Sequence, residues 1–416
     1  MSAVIASRDE IESPYAWLRL GVSLALMTLG GSGMYSITVV LPRIQQEFGA
    51  ARGAVSLAYT LTMIGFGIGG ILMGRLADRR GVMSAVAVGA LGLGLGFVLA
   101  GTASSLAVFA IAHGVLVGLL GTSATFAPLV ADTSQWFDRR RGMALAICMS
   151  GNYAAGAFWP PVMQYFIGIA GWRATYVGMG VACVLAMLPL ALVLRRRPPP
   201  PPLAPAHAVV GHETAVAAAR PLGLAPNTLT GLLCVAGVAC CVAMSMPQVH
   251  IVAYCGDLGF GAARGAEMLS LMLGMGVVSR LVSGWVSDRI GGLRTLLLGS
   301  ILQGVALLMF LPFKGLVSLY LVSGMFGLFQ GGIVPAYALI VREYFPPAQA
   351  GARVGTVLMA TLLGMALGGW MSGAVFDLTG SYQAAFLNGI AWNVLNLTIV
   401  VFLLRRAARA ERGARL

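Results

Sequence analysis

One arginine stands alone in an apolar run. Residues Gly274–Gly292 read GMGVVSRLVSGWVSDRIGG, an apolar helix that carries Arg280 and ends in a polar turn. Arg280 lies eight residues before Asp288, about 12 Å of helical rise above the turn. An arginine at that depth of a bilayer costs roughly 2.5–3.5 kcal/mol on insertion scales. No acid occupies the middle of any apolar run, and the nearest, Glu267 and Asp288, fall at the helix ends. A deep cation without an internal counter-charge suits an anion, and the guanidinium fork matches a carboxylate through two parallel bonds. The alternative is an arginine that snorkels or caps carbonyls.

The turn that follows, Gly284-x-x-x-Asp288-Arg289-x-Gly291, occurs 210 residues earlier as Gly74-x-x-x-Asp78-Arg79-x-Gly81. At the repeat position of Arg280 the first copy has Gly70. The shared turn therefore speaks about fold and the unshared arginine about function. In each turn the aspartate can face a helix N-terminus and the arginine can pair with an acid. The expected acids are Asp132 for Arg79 and Glu343 for Arg289, and such pairs would hold one closure state and break in the other.

Further polar and aromatic side chains lie in apolar runs. Tyr35, Asn152 and Tyr153 are the deepest, followed by Gln330 and Tyr337; Tyr59, Gln248, Asn388 and Asn393 complete the set. Each suits a cavity lining, and each equally suits the bonds that hold membrane helices together. His113 is placed to relay a proton, or to sit neutral and hydrogen-bonded. Catalysis has no support: there is no nucleotide loop, no paired carboxylates and no metal spacing among the four histidines and six cysteines.

The chain that positions these residues has 416 residues, 58% apolar and 10% charged, with a mean hydropathy of +0.86. That composition is a multi-pass membrane protein. Twelve spans are expected: 17–42, 53–76, 82–101, 104–132, 141–168, 172–194, 227–250, 265–287, 293–312, 315–341, 352–376 and 382–404. Of the 27 basic residues, 21 fall on one side of these spans, five (Arg43, Arg52, Arg173, Arg264, Lys314) on the other, and Arg280 inside. The positive-inside rule makes the richer side cytoplasmic, with both termini there. The same placement in short loops argues against nucleic acid as the partner of the +13 net charge. Residues 1–16 are a polar cytoplasmic tail, 17–194 and 227–404 two six-helix bundles, 195–226 a cytoplasmic linker, and 405–416 a basic tail. The five prolines Pro198–Pro202 keep the linker extended. The repeat continues: Pro128, Trp136-Phe137 and Gly142 echo Pro335, Tyr344-Phe345 and Gly351. Gly171-Trp172-Arg173 lies opposite Gly380-Ser381-Tyr382. Two parallel six-helix repeats are a transporter architecture with the substrate near the midplane.

The turns Gly74–Gly81 and Gly284–Gly291 resemble the signature loops of the major facilitator superfamily. With twelve spans and a central linker, the likeness covers almost the whole chain. A narrower likeness joins Trp136-Phe137-x-x-x-Arg141-Gly142-x-Ala144, with Gly151 and Gly156, to the monocarboxylate porters and oxalate/formate-type exchangers. Arg280 is similar to the substrate arginine of both groups. Where animal monocarboxylate porters place an aspartate one turn earlier, this chain has Gly276. The second basic residue of the oxalate-type exchangers is missing from 354–376, and Tyr35 stands near the place of the porters' first-span lysine.

The resemblance implies an all-α transporter of a small organic anion, a monocarboxylate, by alternating access. The expected partners are protons or a counter-anion and the lipid of a plasma membrane, with no cofactor and a monomeric state. The short tails point to a bacterial inner membrane. The competing readings are an exporter of drugs or metabolites, which for cations would want an embedded acid, and a non-transporting sensor, for which no signalling domain is visible.

Overall fold

The computed structural model describes residues 10–198 and 221–413. Helices cover nearly all of it, because the bilayer interior requires every backbone polar group to be bonded within its own segment. In chain order the spans are α1 (Pro14–Phe48), α2 (Arg52–Arg80), α3 (Val82–Gly101), α4 (Leu106–Trp136), α5 (141–170), α6 (172–193), α7 (Pro226–Asp257), α8 (Ala262–Ile290), α9 (Gly292–Met309), α10 (Leu316–Tyr344), α11 (Pro347–Thr379) and α12 (Tyr382–Gly413). Helices α5 and α6 form one 53-residue run, Arg141–Val193, interrupted at Gly171 by φ 79°, ψ 164°. At 1.5 Å per residue that run would be ~80 Å long, so the reversal at Gly171 separates two crossings. The expected twelve spans, in two pseudo-symmetric bundles of six, are therefore present. Most helices run a few residues beyond the apolar cores read from sequence, while Val82–Gly101 matches its core and Gly292–Met309 ends short of it.

The recurring turn has a backbone cause. Gly81 (φ 90°, ψ 155°) and Gly291 (φ 81°, ψ 165°) adopt the same conformation, each joining two spans with no loop between. This region of φ/ψ space belongs to glycine alone. The second echo is also conformational: Phe137 and Phe345 end α4 and α10 in matching extended geometry, at φ −134°, ψ 130° and φ −123°, ψ 146°.

Small residues bring the helices of each bundle together. A Cβ on Gly65 of α2 would collide with the Gly114 carbonyl of α4, and one on Gly327 of α10 would collide with the Met272 carbonyl of α8. Large apolar side chains face outward instead, Leu185 at 69% and Val317 at 73% exposure among them. That inversion of a soluble surface is what lipid tails reward.

Three spans are discontinuous. Helix α1 is broken at Gly31, α4 between Thr122 and Ala127 after an 11-residue π-helical stretch, and α10 between Gln330 and Ile333. The break in α4, at residues 125 and 126, lies four residues past the repeat counterpart of the break in α10, at 331 and 332. The apolar runs predict all three spans continuous. Glycines at 30, 31 and 33 and at 331 and 332 supply the loosened backbone.

Both described chain ends and the start of the linker lie at one end of the bundle, where the Tyr15 hydroxyl bonds the Val193 carbonyl and Arg140 N–H bonds Glu12. This end is the linker face; the other, with Arg52, Asp257 and Asp377, is the far face. The remaining linker residues, including most of the proline run, lie outside the described residues.

Candidate functional site

The two halves meet along two seams, α2 with α11 and α5 with α8. In the second seam the Ser270 hydroxyl donates to the Ala157 carbonyl, and Leu273 packs against Gly156. One turn further, a Cβ on Gly276 would sit 2.5 Å from the Tyr153 ring. Tyr153 therefore occupies the space that a side chain at 276 would need. Its ring lies 4.4 Å from the Arg280 guanidinium carbon, in cation–π contact. Arg280 Nη1 crosses the seam to donate to the Met149 carbonyl at 3.0 Å. Its Nε is buried and has no acceptor, and Arg280 forms no ion pair among the described residues. A buried charged donor without a partner costs more than ~1–3 kcal/mol.

Tyr35 of α1 completes the seam. Its ring lies 2.8 Å from where a Cβ on Gly156 would be, so glycine is needed there as well. Asn152, next to Tyr153, turns toward the break in α1; its Oδ1 is buried and unpartnered, 3.5 Å from a Cβ on Gly31. Thr122, at the break in α4, lines the same small hollow and also has an unpartnered buried hydroxyl. Broken helices around a midplane site are how transporter folds expose polar backbone to a ligand. The structure thus brings together Arg280, Tyr153 and Tyr35, with Asn152 facing the separate hollow at the breaks in α1 and α4. Sequence reasoning missed Thr122, the Met149 carbonyl and the room made by Gly156 and Gly276; the Gly276 signal was visible as a departure from the family pattern.

Other expected lining residues go elsewhere. The Tyr337 hydroxyl donates to Asn396 Oδ1 at 3.1 Å, and Asn396 donates to Ser300, all inside the C-terminal half. Tyr337 is helix glue between α10 and α12, not a cavity residue. Gln330 accepts from Gln248 Nε2 at 2.9 Å, tying α7 to the break in α10, with its own Nε2 buried and free of partners. His113 is enclosed within the N-terminal half by Phe109 and Tyr176 at 4.7 and 5.7 Å and by Thr62 at 3.5 Å. Among the described residues no contact links it to Arg280, so the two groups are not joined in a proton path here. A second buried histidine, overlooked in the sequence, is His250 of α7, between the Tyr382 hydroxyl at 3.0 Å and the Gly369 carbonyl at 2.9 Å.

The expected turn pairs are replaced by others. Asp132 does not meet Arg79; it takes two bonds of 2.8 Å from Arg19, with both side chains buried. Arg19 also lies 4.7 Å from the Trp136 ring and bonds the Leu194 carbonyl. Arg79 is exposed at the end of α2 and cannot turn into that enclosed site, while Arg19 enters it from α1. Glu343 does not meet Arg289; its Oε1 accepts from Gly292 N at 2.8 Å and caps α9. Arg289 folds onto Trp285 at 3.5 Å. Asp78 and Asp288 are exposed without an ion pair among the described residues, and nothing lies within 4 Å of a Cβ on Gly74 or Gly284.

The halves are bonded to each other from Arg280–Met149 up to the far face. Thr60 donates to the Ala366 carbonyl at 2.9 Å, Arg52 pairs with Asp257 at 2.5 and 2.6 Å, and Asp377 accepts from Arg52 N and Gly53 N at 2.9 and 2.7 Å. These cross-half bonds run from Arg280 toward the far face. They hold the far face closed.

A twelve-helix double bundle with an arginine on the seam defines a membrane transporter, and comparison with known proteins agrees. The profile described as Major Facilitator Superfamily matches residues 22–326 and 268–415, and the chain belongs to that superfamily. It is 28% identical to monocarboxylate transporter 13 of Rattus norvegicus over 383 residues, covering 88% of this chain and 82% of that one. It is 26% identical to the MFS-type transporter YcxA of Bacillus subtilis (strain 168) over 347 residues, covering 80% and 82%. In fold it is similar to a bacterial homologue of the human lysosomal transporter Spinster in an inward-facing, occupied conformation. There the TM-score is 0.69 at 14% identity, covering 95% of this chain and 97% of that one. The chain is an integral multi-pass membrane transporter and not an enzyme.

Proposed function

We propose that the chain moves a small organic monoanion, a monocarboxylate, across the plasma membrane by alternating access, with Arg280 as the group that receives the carboxylate. The observation that carries the reading is the state of Arg280: one guanidinium edge bonds Met149, one face lies on Tyr153, and Nε is buried with no acceptor. A carboxylate reaching the open edge can take Nε and its neighbouring nitrogen together. One cation suits one negative charge, and in this reading Tyr35 and Asn152 are assigned to the rest of the ligand. The names of the monocarboxylate transporter relatives support the same class.

In this reading the linker face and both termini are cytoplasmic, and the bonded far face is the closed outer side. The exposed turn residues Asp78, Arg79, Asp288 and Arg289, with Gly74, Gly81, Gly284 and Gly291, act in the opposite state, when the linker face closes. Among the described residues no carboxylate or histidine contacts Arg280, which favours anion exchange over proton symport through this site. Thermal-shift titration of the purified protein with acetate, lactate, benzoate and oxalate tests the proposal. Saturable stabilisation by the monoanions, strongly weakened in Arg280→Gln, is expected; equal stabilisation of Arg280→Gln would sink it.

A further inference from the structure

At the far mouth, Arg52 sits in a site built for a carboxylate and already holding one. The two terminal nitrogens grip both oxygens of Asp257 at 2.5 and 2.6 Å, Nε takes Gln45 Oε1 at 3.1 Å, and the guanidinium lies 3.9 Å over the Phe376 ring. Fork geometry, a polar side partner and an aromatic floor are what carboxylate recognition by arginine requires. The carboxylate present comes from the other half of the molecule.

Asp257 is a poor permanent occupant. It is the last residue of α7, where the helix dipole disfavours negative charge. It is more than a third exposed, and among the described residues Arg52 is its only bonded partner. Asp377 acts separately, since both its oxygens bond backbone N–H groups at the start of α2 and leave the Arg52 side chain to Asp257. The Arg52 fork can thus change ligand while α2 stays tethered to α11. Beside it a hollow of about 560 Å³ opens outward, lined by Arg52, Asp257, Gln45, Gln46 and Ala253. That is ample for a small carboxylate.

We propose that Arg52 is a second carboxylate-binding station, at the far mouth, with Asp257 as the internal ligand that fills it when no anion is bound. An arriving monocarboxylate takes the fork from Asp257, and the exchange releases α7 from α2 while Asp377 keeps α2 tethered to α11. The proposal rests on the reading that the chain carries carboxylates, but its chemistry is independent of Arg280.

The test uses the full-length protein in lipid nanodiscs with acetate as the probe and chloride as the ionic-strength control, read as the half-saturating concentration in thermal-shift titration. Arg280→Gln is the common background, so the central site is silent throughout. Adding Asp257→Asn removes the internal competitor and should lower the half-saturating acetate concentration at least tenfold. Adding Arg52→Gln to that double variant should abolish saturation. Adding Arg52→Lys to Arg280→Gln, which keeps the charge opposite Asp257 and hence the folded pairing, should raise the half-saturating concentration at least tenfold. An unchanged value on Asp257→Asn, a saturable response that survives Arg52→Gln, or an equal response to chloride would each overturn the proposal. Failure of the central reading shows separately, as Arg280→Gln alone binding acetate like the wild type.

Discussion

Arg280→Gln separates a ligand-binding arginine from a structural one. In the folded protein the guanidinium contributes one hydrogen bond to Met149 and one cation–π contact with Tyr153, together ~1–3 kcal/mol. Against this stands a buried Nε with no acceptor, a penalty of similar size. The two offset each other, so folding and insertion should change by about 1 kcal/mol or less. Binding should change far more. Two charge-assisted bonds to a carboxylate at ~1.5–2 kcal/mol each amount to about 3–4 kcal/mol, a factor of about 10²–10³ in affinity. Arg280→Lys keeps the charge and one bond, so its loss should be roughly tenfold with residual transport. The assays are equilibrium binding of a stabilising monocarboxylate in nanodiscs and counterflow in proteoliposomes, with the melting temperature of each variant as the folding control. Wild-type binding and transport by Arg280→Gln at an unchanged melting temperature would refute the reasoning. A variant that no longer folds would show instead that the arginine is structural.

Asp78→Asn or Asp288→Asn should lower turnover severalfold with little effect on ligand affinity, because these exposed residues bias a conformational equilibrium; equilibrium binding lost at an unchanged conformational distribution would contradict the role. Asp132→Asn strands the buried Arg19 charge and should cost about 3–5 kcal/mol, read as a clear fall in melting temperature; an unchanged value would remove the pair from the account of stability. Gly276→Asp should displace the Tyr153 ring, whose atoms lie 2.5 Å from the added Cβ, and weaken monocarboxylate binding at least tenfold by placing an acid beside Arg280; wild-type affinity would contradict the packing. Cysteine probes in 198–223 should react only from the cytoplasmic side of intact cells, and labelling from outside would reverse the orientation.

The fold was legible because the membrane imposes it. Apolar runs of about 20 residues and lopsided arginines define spans and their direction without tertiary information, and Gly81 and Gly291 mark turns that glycine alone can make. Partners were not legible where the repeat was taken as a guide to pairing. Arg79 and Asp132 looked paired because Arg289 and Glu343 occupy similar places, yet the buried acid answers to Arg19, which lies in a different span and follows no motif. Tyr337 and Gln330 were indistinguishable from cavity residues until their partners Asn396 and Gln248 were seen. The far-face cluster was hidden because Arg52, Asp257 and Asp377 are each a single charge at a span end, brought together from distant parts of the chain.

The repeat is most informative where its two copies part. The α2–α11 seam and the α8–α5 seam are pseudo-symmetric counterparts, and each is closed by small residues on one helix receiving larger ones from the other. In the first, Gly67 receives Met359 and Leu362, and Gly70, in the place of Arg280, has only Ala127 near its missing Cβ, at 3.9 Å. With the 209-residue spacing of Gly142 and Gly351, Leu362 stands where the second seam has Tyr153. The first seam is thus an apolar closure, with polar bonds reserved for Thr60–Ala366 and the Asp377 cap nearer the far face. In the second the same architecture holds a cation against an aromatic ring with one donor left open. Packing alone is satisfied by the first solution. The second leaves a charged donor without a partner among the described residues, and on the proposed reading a singly charged anion is what fills it.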